Sequence, residues 1–255
     1  MAQIAVIGGT GMNQWPGLEV RERRSVDTPY GAISAPLLIG RIYGIDAVFL
    51  ARHGEGHTLP PHAINYRANI WALKQIGVKS VVAIAAVGGI APWFPPAAVA
   101  APVDLIDYTW GRAHSYSDGS SPHVQHVEFT EPYSPRVRRE LVHAALAARI
   151  DIADGGVMGV TQGPRLETPA EIRRMKRDGC DMVGMTGMPE AALARELGLD
   201  YACLALSVNW GAGIGEGEIH AEIAQSIEQG MAKVRRILEA ALPVLDAGDA
   251  AGYRA

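Results

Sequence analysis

Val78-Lys79-Ser80-Val81-Val82-Ala83-Ile84-Ala85-Ala86-Val87-Gly88-Gly89 is the stretch on which the fold turns. From Val78 to Ala86 it is apolar apart from Lys79 and Ser80, too short for an ordinary helix and closed by Val87-Gly88-Gly89. It predicts a buried strand that ends in a turn. Upstream, Asn65 to Ile76 reads as a helix, apolar nearly all round and therefore buried. Ala47 to Ala51 is a second buried strand, ending at Arg52-His53-Gly54, and Gln3 to Ile7 is a third, stopping at Gly8-Gly9.

Downstream, Ser134-Pro135 starts a helix running to about Ala148, with a capping hydroxyl before proline at the first helical position. Thr168-Pro169-Ala170-Glu171 is a capping box. Pro189 opens a helix through Leu197, and Tyr201 to Val208 is a last apolar strand. Ile219, Ile223, Ile227, Met231, Val234, Leu238 and Ala241 step by threes and fours. They predict a long amphipathic helix that stops near Pro243. Strands alternate with helices, so the fold class is α/β with a mixed or largely parallel sheet. One domain is expected over residues 1–246, with 247–255 as a frayed tail. The stretch from Ile106 to Glu131 has no clear periodicity and reads as a long functional loop.

The chain has 255 residues and a net charge of -4, enough for one sizeable core but without a basic stripe. A nucleic-acid polymer is therefore not expected as a partner, while a small anion can still bind. Cys180 and Cys203 both lie in apolar sequence and read as buried reduced thiols. No run approaches the roughly 20 apolar residues needed to cross a bilayer, and the N-terminus lacks a signal-peptide pattern. The expectation is a cytoplasmic protein with no membrane partner.

Ligands in open α/β sheets bind beyond the carboxyl ends of strands. Four such ends carry unusual residues: Gly8-Gly9-Thr10-Gly11, Arg52-His53, Ala86-Val87-Gly88-Gly89, and Met185-Thr186-Gly187 before the helix at Pro189. Together they offer hydroxyls, amides, a guanidinium and an imidazole, without the lysine of a P-loop or the glycine spacing of a dinucleotide fingerprint. That set suits inorganic phosphate. It disfavours a dinucleotide-dependent oxidoreductase, and the N-terminus lacks the aspartate cluster of a calcium-dependent nucleoside hydrolase.

These motifs, with Asn65-Tyr66-Arg67-Ala68-Asn69-Ile70-Trp71-Ala72-Leu73-Lys74 and Gln162-Gly163-Pro164-Arg165, resemble the trimeric purine nucleoside phosphorylase and methylthioadenosine phosphorylase family from Ile7 to about Leu242. The resemblance implies a single domain with a twisted, barrel-like sheet and a homotrimer. It also implies phosphate-dependent cleavage of a purine nucleoside, without metal or organic cofactor. It assigns Thr10, Arg52, His53, Thr186 and the backbone near Ala86 to phosphate, and Met185 to the ribose. His126 resembles a residue lent by a neighbouring subunit to the 5′ end of the substrate, and equally fits a loop histidine.

Adenine-cleaving relatives carry an aspartate-x-aspartate pair where this chain reads Asn209-Trp210-Gly211. An amide can donate to O6 and accept from protonated N7, where a carboxylate would repel the carbonyl. Glu167, after Leu166, sits where 6-oxopurine-selective relatives place a carboxylate that accepts from N1–H. Adenine leaves that carboxylate unpaired, at a cost of several kcal/mol. The other readings are a turn residue for Asn209 and a helix cap for Glu167. The wording from Gly184 to Glu196 resembles bacterial S-methyl-5′-thioinosine phosphorylases. His220 argues the other way, because relatives acting on inosine and guanosine often place a histidine there. The residues expected to carry the chemistry are Asn209, at the leaving base, and His53, at phosphate. The enzymatic alternatives to methylthioinosine are inosine or guanosine and, behind them, S-methyl-5′-thioadenosine, and a nucleoside sensor without turnover is the non-enzymatic alternative.

Overall fold

In the computed structural model the run at Ser80–Gly89 folds as the strand from which the whole sheet branches. The structure describes residues 2–9, 15, 17–119, 124–215 and 219–248, with the side chains of 219–222 outside the description. The strands are β1 Ile4–Gly8, β2 Leu18–Arg24, β3 Leu37–Ile42, β4 Ile45–Ala51, β5 Ser80–Gly89, β6 Val99–Ala101, β7 Asp104–Asp107, β8 Ala153–Asp154, β9 Val157–Val160, β10 Met182–Gly184 and β11 Asp200–Trp210. The helices are α1 Tyr66–Gln75, α2 Pro135–Ala147, α3 Pro169–Asp178, α4 Gly187–Glu196 and α5 Ile219–Ala247.

β5 is long enough to take two partners along one edge. Its first half pairs parallel with β1, and its last residues pair antiparallel with β10. Its other edge pairs parallel with β11 along nearly its full length. The sheet is therefore mixed, as the sequence predicts, and among the described residues its pairings follow a branched, open path. Nearly every side chain of β1, β5 and β11 is buried, because helices cover both faces. One core contains Tyr66, Ile70 and Leu73 of α1 with Leu193 of α4. The other contains Val137 and Leu141 of α2 with Val234, Leu238 and Leu242 of α5. Gly230 lets α5 approach β11 closely, since a Cβ there would lie 2.0 Å from Leu206 Cδ1.

The helix starts follow the local chemistry. Asn65 accepts from the Ala68 amide, Ser134 from Val137, and Thr168 and Glu171 complete the predicted capping box. Three expectations need correction. α1 buries one side only, with Lys74 and Gln75 exposed. α5 passes through Pro243 and ends at Ala247, because the proline lies on the exposed side while Leu242 and Leu245 stay packed. β11 extends two residues past Val208, so Asn209 lies within the strand, just after an irregularity between Ser207 and Asn209. Residues 249–255 of the expected tail lie outside the described residues.

Candidate active site

The carboxyl ends of β4, β5, β10 and β11 surround a cavity of about 450 Å3, within the range of small-ligand sites. Arg52, His53, Ala86, Leu166, Glu167, Met185, Thr186 and Asn209 all line it. Residues distant in the chain thus meet in one place, as strand-end chemistry requires.

Arg52 leaves the end of β4 and is fully buried. Its Nε and Nη2 donate to the two carboxylate oxygens of Glu190 at 2.6 and 2.7 Å, and its Nη1 donates to the Ile84 carbonyl at 3.1 Å. Burial disfavours the guanidinium charge, but the charge and hydrogen bonds of Glu190 outweigh it and raise the pKa. Tyr201 Oη also donates to Glu190, at 2.8 Å. The Arg52 charge is therefore matched, and what it retains for a ligand is its unengaged N–H groups.

His53 Nδ1 lies 2.8 Å from the Leu59 carbonyl. A carbonyl only accepts, so Nδ1 carries the proton and Nε2 keeps its lone pair in the neutral ring. Burial lowers the His53 pKa to about 4, helped by Arg52 and His57 and opposed by the Leu59 bond. The ring stacks on His57, which also lines the cavity, at a centroid distance of 4.3 Å.

Thr186 occupies the N-cap position of α4 but makes no side-chain capping bond. Its hydroxyl is thus not spent on its own helix and lines the cavity, while Met188 is extended (φ -118°, ψ 138°), so the regular turns of α4 begin only after it, as the sequence predicts for Pro189. Ala86 is the one residue of β5 that is not fully buried.

The base-recognition candidates line the same cavity. Asn209 is buried, and its Nδ2 donates to the Trp210 carbonyl at 2.6 Å. This bond fixes the amide and leaves Oδ1 as an acceptor. Glu167 Oε1 accepts from Thr161 Oγ1 at 2.6 Å, which anchors the carboxylate and leaves Oε2 free of that bond. Glu167 does not cap α3; Thr168 and Glu171 do. Gly163 adopts φ 57°, and a Cβ there would lie 2.5 Å from Met185 Sδ, so the Glu167 segment packs directly on the Met185 turn.

Other expected residues fall elsewhere. Trp210 and Gly211 are not among the lining residues. Trp210 contributes its carbonyl to Asn209, and the Gly211 amide donates to Gly89. His126 is exposed and away from the cavity of its own chain. Thr10 and the His220 side chain lie outside the described residues. Sequence reasoning missed Glu190, Thr161, His57 and the lining pair Ile223 and Ile227 of α5. Glu190 had one signal, a carboxylate inside the otherwise apolar Pro189–Leu193 run. Among the described residues, no group of three or more His, Cys, Asp or Glu side chains is placed to hold a metal ion, and no helix is long and apolar enough to cross a membrane.

Residues 3–243 match the model of the phosphorylase superfamily. The chain is 56% identical over 215 residues to the "Probable S-methyl-5'-thioinosine phosphorylase" of Xanthomonas campestris pv. campestris, covering 84% of this chain and 86% of that one. It is 41% identical over 251 residues to the 6-oxopurine nucleoside phosphorylase of Pyrococcus furiosus, covering 96% and 94%. Its structure resembles methylthioadenosine phosphorylase from Schistosoma mansoni in complex with tubercidin, with a TM-score of 0.87 at 30% identity over 98% of this chain and 93% of that one. A superfamily match over nearly the whole length, with the same fold in a solved relative, means that this chain belongs to the phosphorylase superfamily.

Proposed function

We propose that the protein cleaves 6-oxopurine nucleosides with inorganic phosphate, and that its substrate is S-methyl-5′-thioinosine, giving hypoxanthine and 5-methylthioribose 1-phosphate. The observation that carries this reading is that Glu167 and Asn209 line the same cavity as Arg52, His53 and Thr186. The first pair matches a base with a carbonyl at position six and a hydrogen on N1. Arg52 and Thr186 supply anion donors, and the His53 Nε2 lone pair an acceptor for a phosphate hydroxyl, without a triphosphate-binding apparatus. The names of the Xanthomonas and Pyrococcus relatives support the same substrate class.

In this reading phosphate sits beneath C1′ of the sugar. A phosphate oxygen forms a bond to C1′ as the bond from C1′ to N9 breaks, and the electron pair leaves with the purine. N7 takes a proton from solvent, balanced by the one that hydrogen phosphate gives up on forming the ester, and the N7–H donates to Asn209 Oδ1. The protein's contribution is positioning and electrostatic stabilisation, with no side-chain nucleophile, metal or organic cofactor. Ile223 and Ile227 bring apolar surface from α5, which suits a 5′-methylthio group. The second reading, inosine and guanosine, rests on His220 at the start of that helix. We also assign the protein to the cytoplasm, as a homotrimer in which His126 serves a neighbouring site.

A cleavage panel of methylthioinosine, methylthioadenosine, inosine, guanosine and adenosine, with and without phosphate, tests the proposal. Methylthioinosine is expected to be consumed fastest, and only with phosphate. Turnover without phosphate, fastest cleavage of an adenine nucleoside, or binding without turnover would overturn it.

A further inference from the structure

Arg112 lies on the irregular stretch between β7 and α2, yet only 8% of it is exposed. Its guanidinium gathers oxygen atoms from three separate parts of the site. Nη1 is within donating distance of the carbonyls of Met185 and Met188, at 2.9 and 2.5 Å, and of Tyr66 Oη at 3.3 Å. Nη2 donates to the carbonyls of Thr161 and Gln162 at 3.2 and 2.9 Å, and Nε to Gln162 Oε1 at 3.1 Å. The charge also lies over the Tyr66 ring, 5.5 Å from its centroid. Among the described residues no carboxylate forms an ion pair with it.

We infer that Arg112 is a positioning residue for catalysis, whose planar fork holds the base-recognition segment and the sugar–phosphate turn in register. The inference rests on the functional reading above. Thr161 and Gln162 lead directly into the segment bearing Leu166 and Glu167, and Thr161 itself anchors Glu167. Met185 and Met188 bracket Thr186 and Gly187, the turn facing the proposed anion site. The Met185 carbonyl shares its peptide group with the Thr186 N–H. Donation to that carbonyl polarises the peptide and makes the amide a stronger donor. Arg52 is neutralised by Glu190 and His53 is neutral, so Arg112 also supplies a positive charge near the site, one that is in no direct ion pair although Asp107 lies within electrostatic reach. A lysine keeps the charge but loses the rigid five-donor fork that reaches both segments.

The test compares Arg112→Lys and Arg112→Ala with the unmodified enzyme, measuring kcat, KM for each substrate, and melting temperature. Arg112→Lys is expected to fold and to lose about 100-fold in kcat/KM per folded molecule, the scale of a misplacement near 1 Å. Guanidinium chloride at sub-denaturing concentration is expected to restore activity to Arg112→Ala, while equal sodium or ammonium chloride does not. A lysine variant that keeps kcat/KM within threefold, whatever its melting temperature, reduces Arg112 to a structural role and overturns the inference. Loss of activity in Arg112→Lys without guanidinium rescue of a folded Arg112→Ala also counts against it. If Arg112→Ala does not fold, the lysine variant decides. Failure of the unmodified enzyme to cleave nucleosides with phosphate is a different result and sinks the functional reading itself.

Discussion

Glu190 and Arg52 form a bidentate ion pair, with distances of 2.6 and 2.7 Å and both side chains 1% exposed, between the first turn of α4 and the end of β4. Removing one member of such a pair leaves the other charged and unpaired in the interior, at a cost of about 3–5 kcal/mol. Glu190→Gln is therefore expected to lower the melting temperature markedly. The same change leaves an unmatched guanidinium at the proposed anion site. Added phosphate is thus expected to raise the melting temperature of Glu190→Gln more than that of the parent. Thermal denaturation with and without phosphate checks both. Equal shifts in the two proteins would mean that Arg52 does not address the anion.

Asn209 is held by its bond to the Trp210 carbonyl, so its amide is oriented before a ligand arrives. Asn209→Ala is expected to lose about 100-fold in kcat. The fold is expected to survive, because only one hydrogen bond, worth about 1 kcal/mol, is removed. Steady-state kinetics with methylthioinosine measures this, and unchanged turnover would refute the role. Asn209→Asp is expected to shift the ratio of methylthioadenosine to methylthioinosine cleavage toward the adenine compound. A second aspartate at Gly211 is not a fair companion, since even a Cβ there would lie 3.2 Å from Ile172 Cδ1 and 3.3 Å from the Gly89 carbonyl.

What the sequence made legible follows from which forces are local. Capped helix starts at Asn65, Ser134 and Thr168 and the buried runs of β1, β4 and β5 carry their signal within a few residues. β2 does not: Leu18-Glu19-Val20-Arg21-Glu22-Arg23-Arg24 is charged and largely exposed, and its strand state comes from pairing with β3. β9 and β10 are too short to show a period. At the site, residues tied to motifs were found, whereas the partners that fix them were not. Glu190 lies 138 positions from Arg52, and Arg112 lies 73 from Met185, so only the folded chain brings them together.

His53 titrates in the folded chain near pH 4, against an ordinary value of 6.5. Between these values the unfolded chain binds more protons at this group than the folded chain does. The contribution of His53 to stability is thus complete above about pH 6.5 and falls as pH drops toward 4, by up to about 1.4 kcal/mol per pH unit. Urea denaturation at pH 7, 6, 5 and 4.5 is expected to show this loss, and His53→Gln is expected to reduce its slope. Identical slopes in the two proteins would place the acid sensitivity elsewhere. Because the ring stays neutral, activity between pH 6 and 8 is expected to show no titration of His53.

Thr161 Oγ1 donates to Glu167 Oε1 at 2.6 Å, and this bond selects the carboxylate position before the base enters. Thr161→Val keeps the shape of the side chain and removes the donor. The carboxylate then loses about 1–1.5 kcal/mol of anchoring, equivalent to about five- to tenfold in kcat/KM for a 6-oxopurine nucleoside. Glu167→Gln is expected to cost more, since the acceptor for N1–H becomes an amide that must turn its oxygen toward the base. An adenine nucleoside offers no N1–H, so neither change should penalise its slower cleavage to the same degree. Comparing kcat/KM for methylthioinosine and methylthioadenosine in the three proteins separates recognition from general damage. Equal losses for both substrates would mean that Glu167 supports the cavity wall without reading the base.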